Sequence, residues 1–372
     1  MQKFWNSLGL MSGTSGDGVD ASIIKTDGIN QFELIKDKYF EYDSNIYKDI
    51  HNLKEKIHKI DHLQKYNKEL NNLERKITIF HAEIIKKLNI SDDTIIGFHG
   101  QTIYHNPKEK ISKQLGNGQL LNQLTNKNIV FDFRSKDILN GGQGAPLAPV
   151  FHHLVCMQNE IRLPVCFLNI GGISNITIVK DKDNLSKLVS RDIGPGNCLI
   201  DNWVRKHSNK KFDQDGILAA VGTRNEIIFE QAQELYMNRK SKKKLSYDTN
   251  DFDISFVRGL SFEDGVTTLT DFTASIIGEE LSLSLKNSKE KIQKILLCGG
   301  GRKNKFLIKK IKENLSSNID LKLIDEYQIN GDFIESQAFA FLAVRSFLKL
   351  PNSFPNTTGC KKPCIGGELI KN

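Results

Sequence analysis

The spacing of apolar and polar positions changes character several times along the chain. Residues 4–10 are largely apolar, 19–26 alternate in the manner of a half-buried strand, and 31–42 give a third such segment. Stretches rich in Gly, Ser, Thr and Asp at 12–18 and 27–30 separate them, so three antiparallel strands joined by two turns are predicted. The period then lengthens. Leu53, Ile57, Ile60 and Leu63, and after them Leu70, Leu73, Ile77 and Phe80, recur at three or four residues, which predicts two helices or one broken helix over 46–88. Short apolar strands follow at 94–99 and 128–133, and helical signals at 147–157.

The order then repeats. Strands are predicted at 165–170, 175–179 and 188–192, helices at 197–207, 226–237 and 262–285, and a buried strand at 295–298 that runs into three glycines. A last helix is predicted at 334–349, with an irregular tail from 351. Strands and then helices, twice over, predict an α/β protein of two similar lobes with an interlobe cleft. Residues 1–136, completed by the C-terminal helix and tail at about 334–372, form the expected first lobe, and 137–333 the second.

Composition narrows this picture. A chain of 372 residues suits two domains, and 39% hydrophobic residues supply a core and exclude a fully disordered chain. No apolar run is long enough to span a bilayer, and the apolar N-terminal segment is too short for a secretory signal. Six scattered cysteines without a CxxC pair favour a reduced, cytoplasmic setting. The net charge of +8 is spread along the chain, and its densest basic run, 239–244, lacks interleaved aromatic residues. It reads as solvated surface, with neither a nucleic-acid nor a membrane partner.

Three glycine-rich turns carry the candidate chemistry. In the first, Ser12, Gly13, Thr14, Ser15, Gly16, Asp17, Gly18, Val19 and Asp20 lie between two predicted strands. Its glycines permit close backbone approach, its N–H and hydroxyl groups suit phosphate oxygens, and Asp17 and Asp20 suit Mg²⁺ held through water. It is not a P-loop, since it has no GxxxxGK[ST] pattern. In the second, Asp192 ends a strand before Gly194, Gly196 and Asn197, where a helix begins. The carboxylate there is placed to take a proton from a nucleophile, and the helix N-terminus favours an anion. The third turn, Gly299, Gly300 and Gly301, offers a flat backbone surface to a nucleoside.

Three such turns spread over two α/β lobes resemble the class that includes actin, hexokinase and the heat-shock ATPase. A closer resemblance runs from about residue 8 to 349. The blocks GLMSGTSGDGVDA (9–21), GFHGQTIYH (97–105), DFRSKDILNGGQGAPLAPVFHH (132–153), NIGGISN (169–175), DIGPGN (192–197) and CGGGRKN (298–304) are similar to the bacterial anhydro-N-acetylmuramic acid kinases. FDQDGILAAVG (212–222) and ESQAFAFLAVR (335–345) fit the same family.

The resemblance implies the actin-like ATPase (sugar kinase) fold and the use of ATP and Mg²⁺ on 1,6-anhydro-N-acetylmuramic acid. Water opens the anhydro bond and O6 is phosphorylated, giving N-acetylmuramic acid 6-phosphate and ADP in cell-wall recycling. Asp192 falls on the family's catalytic base. His99, Gln101, Thr102, Arg134, Asp137, Asn169 and Glu335 fall in the matching blocks and are expected to bind the sugar. Arg134 suits either a carboxylate or a phosphate. The chain departs from the family at Gly16, where a larger apolar residue is common, and at Arg191 and Ile193, which flank Asp192. A kinase of this kind works as a monomer or a small closed oligomer such as a homodimer. The rival from another class, an ATP-binding assembly protein, would instead form filaments with ATP.

Overall fold

The computed structural model describes residues 3–238, 246–286 and 291–372, so the basic run at 239–244 lies outside the described residues. The chain opens with a meander of β1 (Trp5–Ser12), β2 (Gly18–Thr26) and β3 (Phe32–Glu41), each antiparallel to the next. Then β4 (Ile95–Asn106) joins β1 in parallel, β5 (Ile111–Leu115) folds back on β4, and β6 (Asn128–Phe131) runs parallel to β4.

Two helices cover this sheet for reasons written in their spacing. In Ser44–Lys56 the buried residues are Ile46, Ile50 and Leu53, and the N-cap Asp43 accepts from the Asn45 and Ile46 amides. In Asn67–Leu88, Leu70, Leu73 and Ile77 share the buried stripe, and the helix stops at Asn89 in the left-handed region. Both pack into one apolar cluster with Leu8 and Leu10 of β1, where truncation to Ala would cost roughly 2–5 kcal/mol.

The second sheet contains β7 (Val165–Ile170), β8 (Ile173–Val179), β9 (Val189–Pro195), β10 (Lys294–Cys298) and β11 (Asp320–Leu323), in the order β11-β10-β7-β8-β9. Again the first strand is antiparallel to the second and parallel to the fourth, and the fourth is parallel to the fifth. The first sheet has the same arrangement around β1, with β12 (Glu368–Ile370) added beyond β6. This repeated order makes a mixed α/β fold on two sheets, as the sequence predicts. A separate core joins Trp203 and Val204 of the helix Cys198–His207 to Val266 and Leu269 of the helix Phe262–Lys286.

The chain divides into two units: 1–161, 181–189 and 332–372 in one, 162–180 and 190–331 in the other. Residues 137–161, which the sequence assigns to the second lobe, cluster with the first unit. The reason is side-chain bonding that sequence cannot display. Gln158 exchanges hydrogen bonds with the backbone of Phe32, and Asp137 accepts from Ser353 and Thr358. In the same unit the helix Ile334–Phe347 lies directly on the sheet. A Cβ on Gly9 would sit 1.9 Å from the Ser336 carbonyl oxygen, and one on Gly97 would sit 2.3 Å from that of Phe339. No helix among the described residues is long and apolar enough to cross a membrane.

Candidate functional site

In the first unit, the loop joining β1 to β2 is tied down at several points. The Gly16 amide donates to the Gly13 carbonyl (3.1 Å), and the Tyr42 amide to that of Asp17 (2.9 Å). Gln101, fully buried, donates through Nε2 to the Gly13 carbonyl (3.0 Å), while its Oε1 lies 2.6 Å from the Ser12 hydroxyl. That hydroxyl also lies 3.0 Å from both the Gly18 carbonyl and the Tyr42 hydroxyl. Ser12 and Gln101 thus shape the loop from beneath. Val19 has no exposed surface and belongs to the core, whereas Thr14 and Ser15 are exposed at the tip. The Ser15 hydroxyl donates to Asp17 (2.6 Å). Gly16 adopts φ +67°, a region that favours glycine.

Carboxylates gather beside this loop. Burial, and then the negative charges of Glu335, Asp17, Asp332 and Asp37, push Asp20 up to about 8. Asp37 is likewise raised by burial, against hydrogen bonds from Ser22 and Gln337. Asp17, Asp20 and Glu335 are hard oxygen donors of the kind Mg²⁺ takes. Among the described residues, no three His, Cys, Asp or Glu side chains converge closely enough to hold an ion directly, so water would have to complete the shell.

The expected sugar-binding block of the first unit separates into two parts. His99, on β4, is nearly fully buried, with its Nδ1 2.7 Å from the Gly100 carbonyl and its Nε2 2.9 Å from Arg134 Nη2. Burial, and then the Arg134 charge, hold its pKa well below 6.5, so the ring is neutral, with Nδ1 donating and Nε2 accepting. Arg134 also donates to the Gly144 carbonyl (2.8 Å), which fixes the plane of its guanidinium. Thr102 is part-buried and accepts from Gln114. Asp137 is different. It has no exposed surface, and its oxygens accept from the Gly144 amide (2.7 Å), Thr358 (2.7 Å) and Ser353. It secures the 141–144 loop from inside and does not face a ligand, contrary to the sequence expectation.

In the second unit three glycine turns meet at one end of the sheet. The Gly196 amide donates to the Gly172 carbonyl (2.9 Å), that of Asn197 to Gly171 (2.8 Å), and that of Cys198 to Gly172 (3.2 Å). A Cβ on Gly196 would lie 2.2 Å from the Gly171 carbonyl oxygen, one on Gly299 2.4 Å from Asn169 Oδ1, and one on Gly301 3.0 Å from Asn197 Nδ2. Two consequences differ from the sequence reading. The amides after Gly194, expected to meet an anion, bond to the Gly171–Gly172 turn instead. That turn, between β7 and β8, holds the topological place that 13–17 holds between β1 and β2. The repeat of strands was the available signal for it. Gly300 has open space where a side chain would stand.

Asp192 is 6% exposed, and its Oδ2 accepts the Tyr247 amide at 2.7 Å. Sequence reasoning missed this partner, which lies 55 residues away. Arg191 is held by Glu280 (2.8 Å) and Ser284 (2.8 Å). Successive strand side chains point to opposite faces, so its charge is compensated away from the Asp192 carboxylate. The first unit thus offers a loop with exposed hydroxyls, carboxylates suited to a hydrated cation, and an Arg held in a fixed plane, and the second unit an oriented carboxylate.

The family profile described as anhydro-N-acetylmuramic acid kinase matches residues 5–372. The anhydro-N-acetylmuramic acid kinase of Pelagibacter ubique is 56% identical over 376 aligned positions, covering 100% of each chain. That of Agrobacterium fabrum is 34% identical, covering 98% of each. Among solved structures, the activator of the 2-hydroxyisocaproyl-CoA dehydratase from Clostridium difficile, with bound ADPNP, aligns with a TM-score of 0.42 at 10% identity, over 94% of this chain and 99% of that one. This distant likeness leaves the fold to be read from the sheets themselves.

Proposed function

The chain belongs to the anhydro-N-acetylmuramic acid kinase family, and we propose that it converts 1,6-anhydro-N-acetylmuramic acid, ATP and water into N-acetylmuramic acid 6-phosphate and ADP. The observation that carries this reading is the family match over residues 5–372, which spans every candidate site residue. Cell-wall recycling is the setting, and the cytoplasm, where thiols stay reduced, is the compartment we assign.

The chemistry follows from the side chains. Asp192, oriented by the Tyr247 amide, accepts a proton from water as that water attacks the anomeric carbon. The bond from that carbon to O6 breaks, and its electron pair stays on O6. O6 then attacks the γ-phosphorus of ATP, and ADP leaves. The step resembles an inverting glycoside hydrolysis in which phosphoryl transfer replaces the general acid. In this reading the exposed tip of the 13–17 loop faces the phosphates, and Gly299–Gly301 the nucleoside. His99, Gln101, Thr102, Arg134, Asn169 and Glu335 are assigned to binding the sugar, with Gln101 acting through the loop that it ties. Asp17 and Asp20 would hold Mg²⁺ through water, and the ion would supply charge neutralisation on the phosphates.

The test is direct. Purified protein given the anhydro sugar, ATP and Mg²⁺ is expected to release one ADP for each phosphosugar, read by mass spectrometry. ADP release without phosphosugar, or no turnover by folded protein, refutes the assignment. Light scattering with ATP is expected to show no filaments, and sedimentation a monomer or a homodimer.

A further inference from the structure

Resting on that reading, the geometry points to Lys54 as a positioning residue of the phosphate loop: its ammonium pins the Thr14 carbonyl and sets positive charge where the terminal phosphates of the nucleotide are to lie. Lys54 is in the helix Ser44–Lys56, far in sequence from the loop, yet its Nζ lies 2.5 Å from the Thr14 carbonyl oxygen. The helix that carries it is fixed. Ile46, Ile50 and Leu53 are buried, and Ile50 and Lys54, four residues apart, point along one side of the helix.

Gly16 makes the approach possible. A Cβ there would stand 2.8 Å from Ile50 Cγ2, so a larger side chain would press on the helix at Ile50, and it would stand 3.7 Å from Lys54 Nζ, in ordinary contact. With glycine, the helix closes over the loop and the ammonium reaches its tip, next to the exposed Thr14 and Ser15. The charge balance explains why a cation belongs there. Asp17 ends the loop, and Glu335 stands beyond it. A triphosphate arriving at this rim meets these carboxylates, and Lys54 offsets that repulsion on the loop itself. An ammonium carries three donors on a flexible stem, so it can bond a carbonyl and serve an anion together.

The experiment compares nucleotide binding by the full chain with Lys54 and with Lys54→Gln. Calorimetry with Mg²⁺ and either a non-hydrolysable ATP analogue or ADP separates a role at the terminal phosphate from a general loosening. Lys54→Gln is expected to weaken the triphosphate by about tenfold and ADP by less than about threefold, the size of one charge-assisted contact. Lys54→Arg is expected to recover most of the loss. Triphosphate binding by the Gln variant is expected to depend less on salt than that of the parent. Equal losses for the two nucleotides, or none, overturn the proposal. Should Lys54→Gln fold poorly, Lys54→Met, of similar length, carries the same comparison. Lys54-dependent binding without phosphosugar formation would refute the kinase reading alone. Normal turnover with Lys54-indifferent binding would refute this proposal alone.

Discussion

Arg134 Nη2 lies 2.9 Å from His99 Nε2, and the imidazole it meets is buried and neutral. The pair therefore works as a cation seated on an acceptor, not as two competing cations. Replacing His99 by Phe removes this acceptor from Arg134. Catalytic efficiency toward the sugar is expected to fall by about 10–100-fold, the cost of a lost hydrogen bond to a charged group, with ATP affinity little changed. A steady-state comparison of KM for the two substrates checks this, and an equal rise in both would contradict it.

Asp192→Asn keeps the shape and the bond from the Tyr247 amide but removes the proton acceptor. Turnover is expected to fall by roughly 10²–10⁴-fold with nucleotide binding intact. Calorimetry paired with a discontinuous product assay measures both, and turnover like that of the parent would remove Asp192 from the mechanism.

Asp137→Ala should act on the fold. Its oxygens serve the Gly144 amide, Ser353 and Thr358 with no solvent contact, so the substitution strands buried donors. A loss of about 3 kcal/mol is expected, read as a Tm several degrees lower. An unchanged Tm with a raised KM for sugar would return Asp137 to the binding site.

Two glycines give a matched contrast. Gly196→Ala drives a methyl into the Gly171 carbonyl and is expected to cost about 1–3 kcal/mol, lowering Tm and activity together. Gly300→Ala meets open space. Its Tm should hold while KM for ATP rises, as expected if a nucleoside uses that space. Thermal melts beside ATP titrations decide, and an unaffected KM would move the nucleoside elsewhere.

Stability should fall in acid for an identifiable reason. Burial lowers His81 to about 4, and His105 and His152 to about 3, all from 6.5. These groups bind fewer protons folded than unfolded. Their contribution is whole above pH 6.5 and is lost as the pH falls toward 3, at about 1.4 kcal/mol per unit for each group. Asp20 has the opposite sign. Its pKa is raised to about 8 from 3.8, so its contribution is present below 3.8 and lost as the pH rises to 8. Asp20→Asn is therefore expected to raise Tm at pH 8 in the absence of Mg²⁺ while impairing turnover. A lower Tm at that pH would contradict the sign.

Much of the architecture was legible because period and punctuation agreed. The apolar stretches at 4–10, 19–26, 165–170 and 295–298 are bounded by glycine turns, and all became central strands. The strands that escaped are short or polar. In β11 the sequence is Asp-Leu-Lys-Leu, and β12 lies in a tail whose Pro, Gly and Thr residues suggest irregular chain. Their pairing is decided by neighbours supplied from elsewhere. Of the site, residue types and positions could be read, but partners could not. Asp137 looks like a ligand in sequence because it falls in a block that the family shares, and only its partners, the Gly144 amide, Ser353 and Thr358, show it securing a loop. Lys54 carries no motif, since its target lies 40 residues away.

The pairing of β12 with β6, together with the helix laid over Gly9 and Gly97, has a consequence for biogenesis. The ribosome makes the opening meander first but delivers its covering helix and edge strand only after the whole second unit. The nascent N-terminal portion must wait with an unroofed surface while the inserted unit folds. Deleting the last few residues is thus expected to harm the part of the protein that was translated earliest.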